Sequence, residues 1–425
     1  YALTNARIVV APGRVIERGN VIVRNGRIAA VGANASVPAD ARVLDLPGST
    51  VYAGLIDAAS GLGLPRPRPA TPAQGGGAPT NFQQAAQRPN AESSDLNADR
   101  SAVETFEVRT EDLEAARAVG ITAAHLVFDG GIFPGQTGVV LTGATARDSV
   151  VLRAPVVQQV GFGTRRGAYP STLMGTLAYI EQAFRDADHL LQVKAAADRD
   201  PAAAPRAAYD TESRVLGAAV RRQMPVWFVV TRANDIRRAK KLGDQLKLDY
   251  YIAGAQEAYQ VIDQFDRTKP VIVSLNYPRA TVVTGRGLEL RVAPMTGVDS
   301  AKIQADTAAA VALRGNAAAL FRAGIPIALT SYGLDRPRDF RDRIIASISA
   351  GLPADEALRA LTVTPARALG LDRVLGTIET GKLANLVVTN GDLFSRATRI
   401  QHVFVEGQKF DVREQPQQQE RERRN

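Results

Sequence analysis

What most restricts this chain is a rhythm: between residues 53 and 375 a short apolar run is coupled about eight times to an amphipathic helical stretch. PVWFVVT (225–231), PVIVSLNYP (270–278) and IPIALTS (325–331) are such runs, each flanked by helix rich in Ala and Leu. One unit shows the punctuation. Thr110 opens TEDLEAARAVG with acids in the first turn, Gly120 ends it, and the β-branched run ITAAHLV follows. Repeated β-α units of this kind predict an α/β chain built on a TIM-like (β/α)8 barrel over residues 53–375.

The two ends carry a different pattern. Residues 1–52 alternate apolar and polar positions in short runs, with Asn25-Gly26 as a hairpin turn. Short strands return over 376–412, separated by Asn390-Gly391 and Glu406-Gly407. Both ends together are expected to build one small composite β-sandwich domain. Residues 65–100, rich in Pro, Gly, Ala, Gln and Asn, have too few large apolar side chains for a core and read as a low-complexity excursion on the barrel rim. Residues 413–425 form a polar tail.

Composition narrows the function classes. The 425 residues are 45% hydrophobic, and no apolar run reaches the roughly 18 residues that a membrane span needs. Net charge is +9, yet Arg and Lys are scattered among acids in short clusters that no aromatic-basic platform accompanies, which argues against nucleic acid. The absence of Cys excludes disulfides and thiolate metal sites. Strand-like sequence begins at Tyr1, as after removal of a leader, so a periplasmic or secreted location is expected, with a cytoplasmic one as the alternative.

The string AGLIDAASGL (53–62) resembles the end of the first barrel strand in the amidohydrolase superfamily, imidazolonepropionase-like branch, where the pattern is PGLIDxHxHL. ALRALTVTPARALGL (357–371) and LGTIETGKLANLVVTNGDLF (375–394) resemble the same family's last helix and its return to the β-domain, with Asn385 in place of an Asp. The resemblance implies a divalent cation that activates water, held by donors at the ends of several strands. Those positions fall here on side chains without suitable donors. The two His of the first strand fall on Ala59 and Gly61, the next on Val229 or Thr231, another on Ala253 or Gly254, and the catalytic Asp on Tyr332. The three His of the chain, His125, His189 and His402, have no ligand spacing. No metal and no other cofactor is therefore expected.

Other groups stand at the expected mouth. Asp57, Ser60, Ser331 and Tyr332 are the candidate catalytic residues, against the plainer reading of Asp57 as a carboxylate bonded to loop backbone. Gln136 in the Gly-rich DGGIFPGQTG, Arg165 and Arg166 in GFGTRRGAYPS, and Glu257 in AQEAYQVI are candidate rim residues. The expected function is an amidohydrolase-like chain without its metal site, serving as a structural, assembly or partner subunit, as a homo-oligomer or with an active paralogue. The rim excursion and tail would be its contact arms. Two alternatives stand: a metal-free hydrolase of carbon-nitrogen bonds, and a small-molecule binding protein using the vacant mouth.

Overall fold

The computed structural model describes residues 1–65, 97–143, 150–164, 169–200, 211–277, 308–334 and 336–412. Residues 66–96 of the rim excursion, the tail, Arg165 and Arg166 lie outside the described residues.

Strands β1 (Ala2–Ala11), β2 (Arg14–Arg24) and β3 (Arg27–Gly32) form an antiparallel meander, with β4 (Val43–Asp45) and β5 (Thr50–Ala53) parallel to β1. Asn25 and Gly26 turn the second hairpin with φ of 49° and 76°, the left-handed pair that a two-residue turn requires. From the other end of the chain, β16 (Leu386–Thr389) pairs antiparallel with β5, placing Val387 opposite Tyr52. Then β17 (Ile400–Val405) and β18 (Gln408–Asp411) complete one eight-stranded sheet, with Glu406-Gly407 as their turn. Both ends of the chain thus share a sheet, as the alternating patterns require. Its apolar face gathers Leu3, Ile8, Val21, Ile28, Val51 and Phe404. The ladders link all its strands, so the two layers expected from sequence are not two separate sheets.

Between the ends, β6 (Leu55–Ser60) runs into helices α1 (Ala102–Thr105) and α2 (Thr110–Ala118), then β7 (Ile121–Leu126), β8 (Gly135–Gln136), β9 (Gly138–Leu141), β10 (Val151–Arg153) and β11 (Gln158–Gly161). A helical pair, α3 (Leu173–Arg199) and α4 (Thr211–Val220), precedes β12 (Val226–Val230), α5 (Ala233–Gln245), β13 (Tyr250–Gly254) and β14 (Val271–Ser274). Last come α6 (Asn316–Arg322), β15 (Ile327–Thr330), α7 (Phe340–Ser349), α8 (Ala354–Leu361) and α9 (Val363–Ala368). Strands β11 to β15 form an unbroken parallel run. The near-continuous apolar sequence of β12, β14 and β15 fits burial on both faces.

The ladders of the barrel region fall into two sheets: four strands ordered β10-β9-β7-β6, and six ordered β15-β14-β13-β12-β11-β8. A single closed barrel is not formed among the described residues, and the two seams show why. At one seam the Gln159 side chain takes the place of a neighbouring backbone: its Oε1 accepts from Phe128 N–H at 2.9 Å and its Nε2 donates to Phe128 O at 2.8 Å. At the other, the Asp57 carboxylate of β6 binds the end of β15. Side chains close both gaps where ladders would otherwise run.

Arg117 ties α2 to the end sheet. It is buried, donates through Nη1 to Thr142 O, and stacks its guanidinium 4.3 Å from the Phe410 ring centre. His125 on β7 is fully buried. Its Nδ1 lies 2.8 Å from Ala58 O, so that nitrogen carries the proton, and Nε2 accepts from Thr137 Oγ1 at 2.7 Å. Burial pulls its pKa down to about 4 against the backbone bond to Ala58. The folded state therefore refuses a proton that the unfolded chain accepts. Its contribution is complete above the unfolded value near 6.5 and is lost as pH falls toward about 4. Unfolding curves across that window should show uptake of about one proton that His125→Gln removes; a parent slope unchanged by H125Q would contradict the assignment.

Candidate functional site

The parallel strands deliver their C-terminal ends to one side, where ligands of such sheets bind. At that mouth Asp57, fully buried on β6, is the most densely bonded group. Its Oδ1 accepts from Thr330 Oγ1 at 2.9 Å and from Ser331 N–H at 3.0 Å, and more weakly from Ala59 N–H at 3.4 Å. Its Oδ2 accepts a short bond from Ser331 Oγ. Burial still raises the Asp57 pKa, although Ser331, Thr330 and Ser60 all donate to hold it down. The backbone-bonded reading of Asp57 is thus part of the truth, with hydroxyls added.

Tyr332 follows directly after Ser331. Its N–H donates to Thr330 Oγ1 at 3.0 Å and its carbonyl accepts from Ser274 Oγ at 2.6 Å, which fixes the turn beyond β15. The phenol donates to Asp129 at 3.5 Å and accepts from the Gly130 backbone. Burial first, then the Asp129 charge, pushes its pKa up to about 12, so it remains a donor at neutral pH.

Two cavities meet at this ring. A cleft of about 820 Å³ is bordered by Asp57, Ser60, Gly61, Asp129, Ser331 and Tyr332, with Arg109 and Asp112 on its outer wall. A smaller one of about 200 Å³ lies beside Gly131, Gly161, Val229, Thr231 and Tyr332. Asp112 and Asp129 lean the large cleft toward negative charge, since Arg109 is paired with Glu107.

The structure therefore brings Asp57, Ser60, Ser331 and Tyr332 together, with Gly61 at the cleft and Val229 at the smaller cavity. Ala59 and Ala253 are buried in the adjoining strands β6 and β13. Glu257 stands elsewhere: its Oε2 accepts from Ala233 N–H at 2.9 Å, capping α5, beside a separate cavity of about 260 Å³. Gln136 pairs across β8 with Gln158 at the start of β11 and borders neither mouth cavity. Sequence reasoning missed Asp129, Thr330 and Ser274. Their signal was adjacency: Asp129 precedes the flagged Gly130-Gly131, and Thr330 precedes Ser331.

Ala59, Gly61, Val229 and Ala253 offer no donor atom, and Asp57 spends its carboxylate on Ser331 and Thr330. Among the described residues no group of three or more His, Asp or Glu side chains converges in a metal-binding arrangement.

Comparison with known proteins bears on the fold. Residues 289–410 match the model of the Amidohydrolase family, and no curated protein matches the chain. A crystal structure of an amidohydrolase from Thermotoga maritima MSB8 aligns with a TM-score of 0.75 at 24% identity, covering 96% of this chain and 99% of that one. A putative prolidase from Bifidobacterium longum gives 0.53 at 17% identity, covering 96% and 94%. Phenylurea hydrolase B gives 0.54 at 15% identity, covering 97% and 96%. Over nearly its whole length the chain has the fold of these amidohydrolase and hydrolase structures, and its residues 289–410 carry the Amidohydrolase family match.

Proposed function

We propose that this chain binds a small organic molecule at the mouth of an amidohydrolase-like barrel, closed through the Gln159 and Asp57 seams, without a metal and without hydrolysis. One observation carries the reading. The cleft of about 820 Å³ is bordered by polar groups, while the strand-end positions that the sequence resemblance assigns to a cation carry Ala59, Gly61, Val229 or Thr231, Ala253 or Gly254, and Tyr332, with no His or carboxylate among them. A cleft of that size suits a ligand of metabolite dimensions. The Asp112 and Asp129 carboxylates and the Ser60, Ser331 and Tyr332 hydroxyls favour a ligand rich in donors, such as an amide or amine.

N-acetyl-proline amide and phenylurea are suitable probes, because a prolidase and a phenylurea hydrolase share the fold. Calorimetry with the full chain is expected to give the same binding of at least one probe before and after chelator treatment, with the probe recovered intact. Turnover that disappears with chelator and returns with added zinc would refute the proposal.

A second reading is favoured by one contact. The short bond from Ser331 Oγ to the buried Asp57 carboxylate sets a hydroxyl beside a base at the edge of the cleft. Metal-free hydrolysis of carbon-nitrogen bonds would then survive chelator and vanish in Ser331→Ala.

A further inference from the structure

We infer that the face opposite the mouth carries a second binding site, an anion cleft for a small polyvalent phosphate or carboxylate. A cleft of about 600 Å³ opens there between α3 and the loops leading into β12 and β13. Four basic or imidazole side chains border it: Arg185 and His189 from α3, Arg222 after α4, and Lys247 after α5.

Backbone conformation makes two of these residues unusual. Arg222 and Lys247 have φ of 56° and 54°, the left-handed region that disfavours side chains with a Cβ. Each occupies the same place in a helix stop: Gln223 N–H returns to Ala218 O, and Leu248 N–H returns to Gly243 O. Elsewhere in this fold that place is glycine. Gly120 after α2 and Gly324 after α6 have φ of 85° and 75° and likewise lead into strands. At those two stops a basic residue sits within the last helical turn, Arg117 or Arg322, so cation and left-handed residue are separate. In α4 and α5 the last turn has no basic residue, and the cation occupies the strained position itself.

Favourable interaction with the helix dipole explains a cation near each end but not this placement. A basic residue one turn earlier would serve the dipole without backbone strain. Placing both in the left-handed position directs them into one cleft with Arg185 and His189 from a third helix. Arg222 Nε also donates to Lys247 O at 2.7 Å, coupling the two stops. Arg185 is held by Glu181, which also accepts from Gln245 at 3.1 Å, and Asp188 is the remaining acid at the cleft. Cations from three separate elements suit an anion with more than one charged group, whether phosphorylated or polycarboxylic.

The test uses the full chain, with inorganic pyrophosphate and citrate as probes at constant ionic strength and chloride as the control. Calorimetry is expected to show one-to-one binding of at least one probe; pyrophosphate alone would mark the ligand as a phosphate, citrate alone as a carboxylate. The variant Arg222→Gly/Lys247→Gly should weaken that binding at least about tenfold. Its thermal midpoint should stay the same or rise, since glycine relieves both left-handed positions. If that variant is poorly folded, Arg222→Asn/Lys247→Asn keeps a side chain that tolerates this conformation and must show the same loss. No heat above chloride with either probe, or undiminished affinity in both variants, would overturn the proposal.

Discussion

Trp227→Ala is expected to cost about 3–5 kcal/mol of stability, the range for removing a fully buried aromatic side chain from a core. Trp227 has no exposure, packs edge-on to His125 with ring centres 4.6 Å apart, and lies 6.2 Å from Tyr251. It sits on β12 two residues before Val229, on the same side of the strand as that border residue of the smaller mouth cavity. Its indole N–H has no hydrogen-bond partner among the described residues. Trp227→Phe should therefore recover most of the loss, because it keeps one aromatic ring in the core and removes a buried donor that gains nothing. Chemical denaturation of both variants provides the check; equal losses would show that the indole nitrogen is bonded in solution.

The second large effect is at Asp57. Asp57→Ala is expected to lose about 2–4 kcal/mol, since it opens a cavity and strands the Ser331 N–H and hydroxyl, while the Thr330 hydroxyl keeps Ala59 O as its acceptor. The same change removes the carboxylate that joins β6 to Ser331 beyond β15 and leaves the Thr330 bond to Ala59 O, so binding at the mouth should be weakened with it. Asp57→Asn behaves differently. Its oxygen still accepts from Thr330 and Ser331, its amide donates to Ser331 Oγ, and no charge is buried. The pH dependence has a definite sign. Because the folded pKa is raised above 3.8, the folded state holds a proton that the unfolded chain has released, and the Asp57 contribution declines as pH rises through the folded value. D57N should abolish that decline and match or exceed the parent at neutral pH. A neutral-pH loss in D57N as large as in D57A would contradict this account.

Much of the fold was legible because its signals are local. Asn25-Gly26 and Glu406-Gly407 specify turns by backbone freedom, and Thr110 to Gly120 announces a helix with acids at its start and glycine at its stop. The mixing of both chain ends in one sheet followed from their shared alternation. The seams were not legible. Gln159 binds Phe128 across 31 residues, and Asp57 binds Ser331 across 274, contacts that no local pattern encodes. Gln136 was assigned to the rim because it follows a Gly-rich loop, yet its backbone is committed to β8 beside Gln158. Arg222 and Lys247 were invisible for the opposite reason: at helix stops the sequence signal is glycine, and neither is glycine. For the mouth, Asp57, Ser60, Ser331 and Tyr332 were found by aligning strand ends, whereas Asp129 reaches Tyr332 only through the folded chain.

The most direct test of the central claim is elemental analysis of the full chain, purified without chelator and then dialysed against zinc and manganese. Transition metal well below one equivalent per chain is the predicted result. One tightly held equivalent, displaced by substitutions at Asp57 or Asp129, would show a cation site built from the mouth residues and contradict the reading.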